Sequence, residues 1–281
     1  MSEFVNTVDI VGDEALTNSI IDRSIVELSD NVITGIGDYG LSRCGALTAV
    51  DLPAVTSLGG YAFECCSLLE TVKLPSMTKL GESYSSTFLF QLCDKLKTID
   101  APNITEIGKG VFSMSGLTSA AFPLVTVLGR DAFESCSKLE FADFPLVTSI
   151  PVNAFKGCKK LTTVNFPVAT TVGNSAFSGC SDLVAIDFPS MTGISGSQVF
   201  YNCSKLTALI LRSETMATLS KTNAFDGTPI ISGTGYIYVP AALVDSYKAA
   251  TNWSTYAAQF RALENYTVDG TITGALDETK I

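Results

Sequence analysis

Residues 158–180 read Cys158-Lys-Lys-Leu161-Thr-Thr-Val164-Asn-Phe166-Pro167-Val-Ala-Thr-Thr-Val172-Gly173-Asn-Ser-Ala176-Phe177-Ser-Gly-Cys180, and at Cys180 the same phrase begins again. Self-similarity at a period of about 20–30 residues is the signature of a solenoid, in which each unit buries its apolar edge only against its neighbours. On either side of this stretch, blocks of the form Leu-x-x-Val-x-Phe-Pro open at Leu47, Leu69, Leu96, Leu117, Leu139, Leu161, Leu183 and Leu206. Their prolines are Pro53, Pro75, Pro102, Pro123, Pro145, Pro167 and Pro189, with Arg212 in the last such slot. A degenerate first turn begins at Ile25.

The residue types dictate the local shape. Leu, Val and Phe at the first, fourth and sixth positions put apolar side chains on one side of a short strand. Proline lacks an N–H, so a strand of about four or five residues ends there. A Thr-rich stretch then leads to Gly-x-x-Ala-Phe-x-x-Cys. Gly59, Gly81, Gly108, Gly129 and Gly173 predict a tight bend, although Pro151 and Ser195 in that slot mean that positive φ is not obligatory in every turn. Phe63, Phe88, Phe112, Phe133, Phe155, Phe177 and Phe200 are expected to stack as an interior spine. Cys44, Cys66, Cys93, Cys136, Cys158, Cys180 and Cys203 share one slot, with Cys65 outside it. They are expected to form a column of buried free thiols, with disulfides and a metal or catalytic site as the alternatives. Met114 reads as an apolar replacement for cysteine, one residue early.

Composition narrows the function. The chain has 281 residues, 46% of them apolar, and a formal charge of -10, which disfavours nucleic acids and anionic membrane surfaces. No apolar run approaches the roughly 18 residues that cross a bilayer, and the N-terminus shows no basic and apolar secretory leader. Either the protein stays inside or it leaves by another route. Histidine is absent, which removes the usual general base of hydrolases and the commonest zinc ligand. Gly35-Ile-Gly37-Asp-Tyr-Gly40 matches a nucleotide-binding string, but Gly37 is already the repeat glycine and no βαβ context follows. No cofactor, metal site or catalytic residue is expected.

The pattern resembles the BspA-like leucine-rich-repeat family, with Leu161 to Cys180 matching its consensus almost slot for slot. The resemblance implies a repeat solenoid, a right-handed leucine-rich-repeat superhelix with a parallel β-sheet on the concave side. It also implies surface or secreted adhesion, hence an extracellular or cell-surface location. Residues 1–24 are expected to cap the first turn, 25–240 to form the solenoid and 241–265 a helical C-terminal cap with Asn252 starting its second helix. Residues 266–281 are read as a tail with a hairpin around Asp269-Gly270.

Alternate residues on the strands place Asp51, Lys73, Asp100, Ala121, Asp143, Asn165, Asp187 and Ile210 in one outward column. No two adjacent turns carry an Asp, so the carboxylates stand about 9–10 Å apart, too far for a two-metal centre. Thr48, Glu70, Lys97, Thr118, Glu140, Thr162, Val184 and Thr207 are expected as the next column, with Phe141 beside Asp143. Between Gly81 and Cys93 the chain is five residues longer than between Gly59 and Cys66, and Tyr84, Phe88 and Phe90 are candidate binding residues of that insertion. The expected function is non-catalytic recognition of a protein or glycan through the concave face. A virion or tail-associated component and a carbohydrate-active enzyme using the Asp residues are the alternatives.

Overall fold

The computed structural model describes residues 33–81 and 87–263, and the backbone alone of 27–29, 267–268 and 272–273. Ten short front strands, from Glu27–Ser29 to Tyr236–Val239, recur once per turn in a parallel solenoid, and an eleventh, Phe260–Ala262, closes the series. Two-residue back strands such as Ser57–Leu58 and Thr171–Val172 form a second parallel face. Neighbouring front strands pair in register, with Val50 opposite Val72 and Ala142 opposite Val164. The front ladder falls into three segments, which meet between Asp100 and Ser119 and between Asn165 and Ala185.

Stacking of identical slots makes the core. Phe63, Phe90, Phe112, Phe133, Phe155, Phe177, Phe200 and Phe225 form one spine, with successive centroids 5.1, 5.6, 5.2, 5.3, 5.5, 5.7 and 5.3 Å apart. The expected spine residue Phe88 is replaced by Phe90. Phe88 instead stacks outside the core on Tyr61, which stacks on Tyr39. The backbone decides this: Tyr61 N–H donates to Thr87 and Phe63 N–H to Leu89, so Phe88 is level with Tyr61 and Phe90 follows Phe63. Phe90 is therefore core and not a binding residue, Phe88 is half-buried, and Tyr84 lies outside the described residues.

The repeat glycine works by close approach. A Cβ on Gly129 would stand 2.4 Å from the Gly108 carbonyl carbon of the preceding turn. Of the five predicted glycines Gly81 takes a left-handed bend (φ 72), but the recurring sharp bends lie elsewhere, in two left-handed residues flanking the Ala-Phe slot of most turns, as at Asp131 (φ 61) and Ser135 (φ 61). The second of these becomes glycine at Gly157 (φ 76), where an L side chain would be strained.

A cap seals the C-terminal end. Helix Val244–Ala249 and the 3₁₀ segment Trp253–Gln259 bring Trp253 and Tyr256 onto Phe225, the last spine ring. Trp253 Nε1–H donates to the Ala217 carbonyl at 2.7 Å, and Tyr247 Oη accepts from Ala217 N–H at 2.7 Å. The expected side-chain cap at Asn252 is not made: its amide donates to Leu219 O at 2.7 Å, and its φ is 63°. Residues 260–262, expected as helix, pair with the preceding front strand. Beyond them Thr267–Val268 and Ile272–Thr273 pair as antiparallel strands, while Asp269 and Gly270 lie outside the described residues. The N-terminal segment 1–24 lies outside the described residues.

Phe155 is fully buried between two rings, whereas Phe88 is on the exterior. Phe155→Ala is expected to cost about 3–5 kcal/mol in urea denaturation. Phe88→Ala is expected to cost about 1.5 kcal/mol or less, the scale of one stacked pair. Equal losses would contradict this assignment of the spine.

Candidate functional site

The front sheet exposes two columns of alternate side chains. The first carries Asp51 opposite Lys73, Lys73 opposite Asp100, Asp143 opposite both Ala121 and Asn165, and Asp187 opposite Ile210. The expected second column is displaced by one residue, because pleat alternation selects Thr71, Thr98, Ser119, Phe141 and Thr163. Thr48, Glu70, Thr118 and Glu140 stand instead at the bend entering each strand, where their carbonyls receive N–H groups of the next turn.

Each predicted residue has a definite environment. Lys73 Nζ is 3.2 Å from Asp51, in an exposed pair, and Asn165 Nδ2–H donates to Asp143 Oδ1 at 2.8 Å. Asp187 is clasped by Arg212, with Nε 3.0 and 2.8 Å from its two oxygens and an Nη 2.8 Å from Oδ2. Burial raises the Asp187 pKa, and the Arg212 charge and hydrogen bonds act against that rise. Asp100 is exposed, and its carboxylate has no partner among the described residues. Phe141 is half-buried on the polar face.

Sequence reasoning missed the C-terminal end of this face. There Ile210 and Ala208 are buried although they occupy outward positions, and Tyr236 and Tyr238 continue the two columns. The two tyrosine rings meet edge to face at 6.4 Å, and the Arg261 guanidinium lies 4.2 Å from the Tyr236 centroid. Arg261 is held there by donating to the Ala258 and Phe260 carbonyls, each at 2.8 Å. The tyrosines were visible in their slots, since Tyr236-Ile-Tyr238 alternates like Thr163-Val-Asn165. Arg261 gave no signal, because its place depends on residues 260–262 joining the sheet.

The cysteine slot is structural. All seven slot cysteines are buried free thiols. Cys66, Cys93, Cys136, Cys158, Cys180 and Cys203 each donate to a carbonyl of the preceding turn at 2.9–3.2 Å. Contrary to expectation, Met114 does not stand in for a cysteine. Ser115 fills that slot, its hydroxyl 3.4 Å from Cys136 Sγ, while Met114 points outward at 41% exposure. Burial pushes Cys66 and Cys203 up to about 12 and Cys136 to about 11, and it holds Cys93, Cys158 and Cys180 well above the usual thiol range.

These features define a parallel-strand solenoid of about ten turns with a polar front face ending in an aromatic and arginine cluster. The family described as "BspA type leucine rich repeat region" matches in six copies over residues 9–140 and 126–236. The chain belongs to that family. A leucine-rich-repeat protein of T. pallidum shares 24% identity over 57% of this chain and 78% of its own, with a TM-score of 0.52. One from Eubacterium ventriosum shares 18% identity over 74% and 84%, with a TM-score of 0.51. No curated protein matches the sequence.

A thiol whose folded pKa is raised contributes stability that is complete below its unfolded value and lost as pH rises towards the folded one. Stability should therefore fall above about pH 9, by up to about 1.4 kcal/mol per pH unit for each of these six raised thiols, read in urea denaturation across a pH series. Cys158→Ser, which copies the hydroxyl found at Ser115, should make that slope shallower by one proton's worth. An unchanged slope would show that the column does not titrate on unfolding.

Proposed function

We propose that this chain is a non-catalytic recognition protein, displayed on a bacterial surface or secreted, that docks a protein or glycan ligand on its front sheet. The observation that carries the reading is the front face itself. Its outward columns run from the Asp51–Lys73 pair through exposed Asp100 and half-buried Phe141 to the Tyr236, Tyr238 and Arg261 cluster. Tyrosine and arginine held rigidly against each other are the residue types that dominate binding energy at interfaces. Resemblance to surface and secreted adhesion proteins supports the location.

The glycosidase alternative is less well supported. Asp51, Asp143 and Asp187 are already engaged by Lys73, Asn165 and Arg212, and the chain has no histidine to assist. A catalytic acid needs a raised pKa and an open path to the scissile bond. Asp187 has the first, but its oxygens are occupied by Arg212.

The test screens the purified protein on arrays of host glycans, host extracellular proteins and bacterial envelope polysaccharides. An Asp100→Lys/Asp143→Lys variant and Tyr238→Ala are compared with wild type; Asp187 is left intact because its reversal would strand Arg212. At least about a tenfold loss of affinity for a captured ligand is expected, with melting temperature within a few degrees of wild type. Unchanged affinity in both variants would remove the front sheet. Capture by bacterial envelope polysaccharide alone would favour the virion-associated alternative.

A further inference from the structure

We propose that a notch beside the front sheet, opened where one turn is a residue short, binds a single carboxylated sugar residue such as a uronic acid. In seven turns two residues separate the cysteine slot from the following leucine, as in Cys93-Asp-Lys-Leu96 and Cys136-Ser-Lys-Leu139. Between them in space lies Ser115-Gly116-Leu117, where only one residue intervenes. The missing residue leaves a cavity of about 430 Å³ floored by Gly116 and walled by Asp94 and Lys95 on one side and Ser137 and Lys138 on the other. A volume of this size is within the range of sites for small molecules. The front ladder is also interrupted here, between the strands ending at Asp100 and beginning at Ser119.

The Lys138 side chain crosses the short turn, its ammonium donating to the Asp94 carbonyl at 2.9 Å. That uses one of three donors and fixes the charge at the notch. Lys95 and the Asp94 carboxylate make no ion pair among the described residues. Elsewhere along the same edge Lys97 is paired with Glu70, and Lys160 and Lys205 are both paired with Asp182. Lys95 also acts on Glu70, but that carboxylate is already paired with Lys97, so the notch lining itself holds two cations against the one carboxylate of Asp94, a local preference for an anion in a chain of net charge -10.

The other groups specify what carries that anion. Asp94 would repel a compact dianion such as phosphate, but it can accept two neighbouring hydroxyls of a sugar while the lysines take a carboxylate further along the ring. Ser137 offers a hydroxyl at the rim, and exposed Met114 offers a polarisable apolar surface for the C–H face of the ring. The inference rests on the recognition reading in that the ligand is a glycan, yet the site is separate from the outward columns of the front sheet.

The experiment titrates glucuronate, glucose and inorganic phosphate into the full chain, read by saturation-transfer NMR and calorimetry. Glucuronate should bind saturably with Kd near about 1 mM, and glucose at least about tenfold more weakly. Lys95→Gln/Lys138→Gln should lose at least about tenfold in glucuronate affinity without a change in melting temperature. Inserting one serine between Ser115 and Gly116 restores the common spacing and should abolish binding. Three results would each overturn the proposal: no discrimination between glucuronate and glucose, phosphate competing as well as glucuronate, or undiminished binding in the double lysine variant. Because no front-sheet ligand enters this assay, its failure leaves the docking reading standing, and the array variants leave the notch intact.

Discussion

A single turn of this chain cannot keep its own apolar edge dry, so every turn depends on the one stacked on it. Backbone hydrogen bonds between turns impose a rise of about 4.8 Å, and the phenylalanine spine follows with ring centroids between 5.1 and 5.7 Å. Ladder and spine thus advance together one turn at a time, the ring centroids slightly further apart than the strands, and the thiol-to-carbonyl bonds of the cysteine slot run beside them. The same dependence explains the cap. Phe225 has no further turn to cover it, and Trp253 and Tyr256 take that place.

Because the interior slots are fully occupied, chemistry is confined to positions that face outward and to places where the period breaks. The five residues added at 82–86 leave the spine continuous, since Phe90 takes the vacant slot and Thr87 restores pairing with Tyr61. The residue removed beside Gly116 has the opposite effect, opening a polar notch bridged by Lys138. The outward columns vary freely from turn to turn, which is how one scaffold carries the ion pair at Asp51, the exposed carboxylate at Asp100 and the tyrosines at 236 and 238.

Inward slots are legible because a stacked repeat must place the same residue type at the same depth. Leu161, Val172 and Phe177 announce themselves by recurrence, and the register Asp51, Lys73, Asp100 follows from counting alternate residues. Counting fails where chain length changes. Phe88 and Phe90 are both aromatic, and only the distance to Cys93 separates the exterior ring from the spine ring. Met114 and Ser115 are a similar pair: hydrophobicity favours the first, but the slot lies three residues after Phe112, where Ser115 N–H donates to the Phe112 carbonyl and its hydroxyl meets Cys136 Sγ. Outside Gly81, which does take a left-handed bend, glycine misdirects the placing of the bends, because polar residues such as Asp131 and Ser135 adopt the left-handed conformation while repeat glycines such as Gly129 answer to crowding by the preceding turn.

Recurrence along the chain is enough to define the solenoid, its period, the strand and spine slots, the buried free thiols and the outward Asp column, because each of these is a property of one turn repeated. The partners of those outward residues emerge only in the folded stack. The Asp187–Arg212 clasp, the Arg261 guanidinium over Tyr236 and the notch between Asp94 and Lys138 all join different turns or the cap. Such contacts depend on side-chain reach across the stack and on small changes in turn length, and neither is written in the pattern of any single repeat.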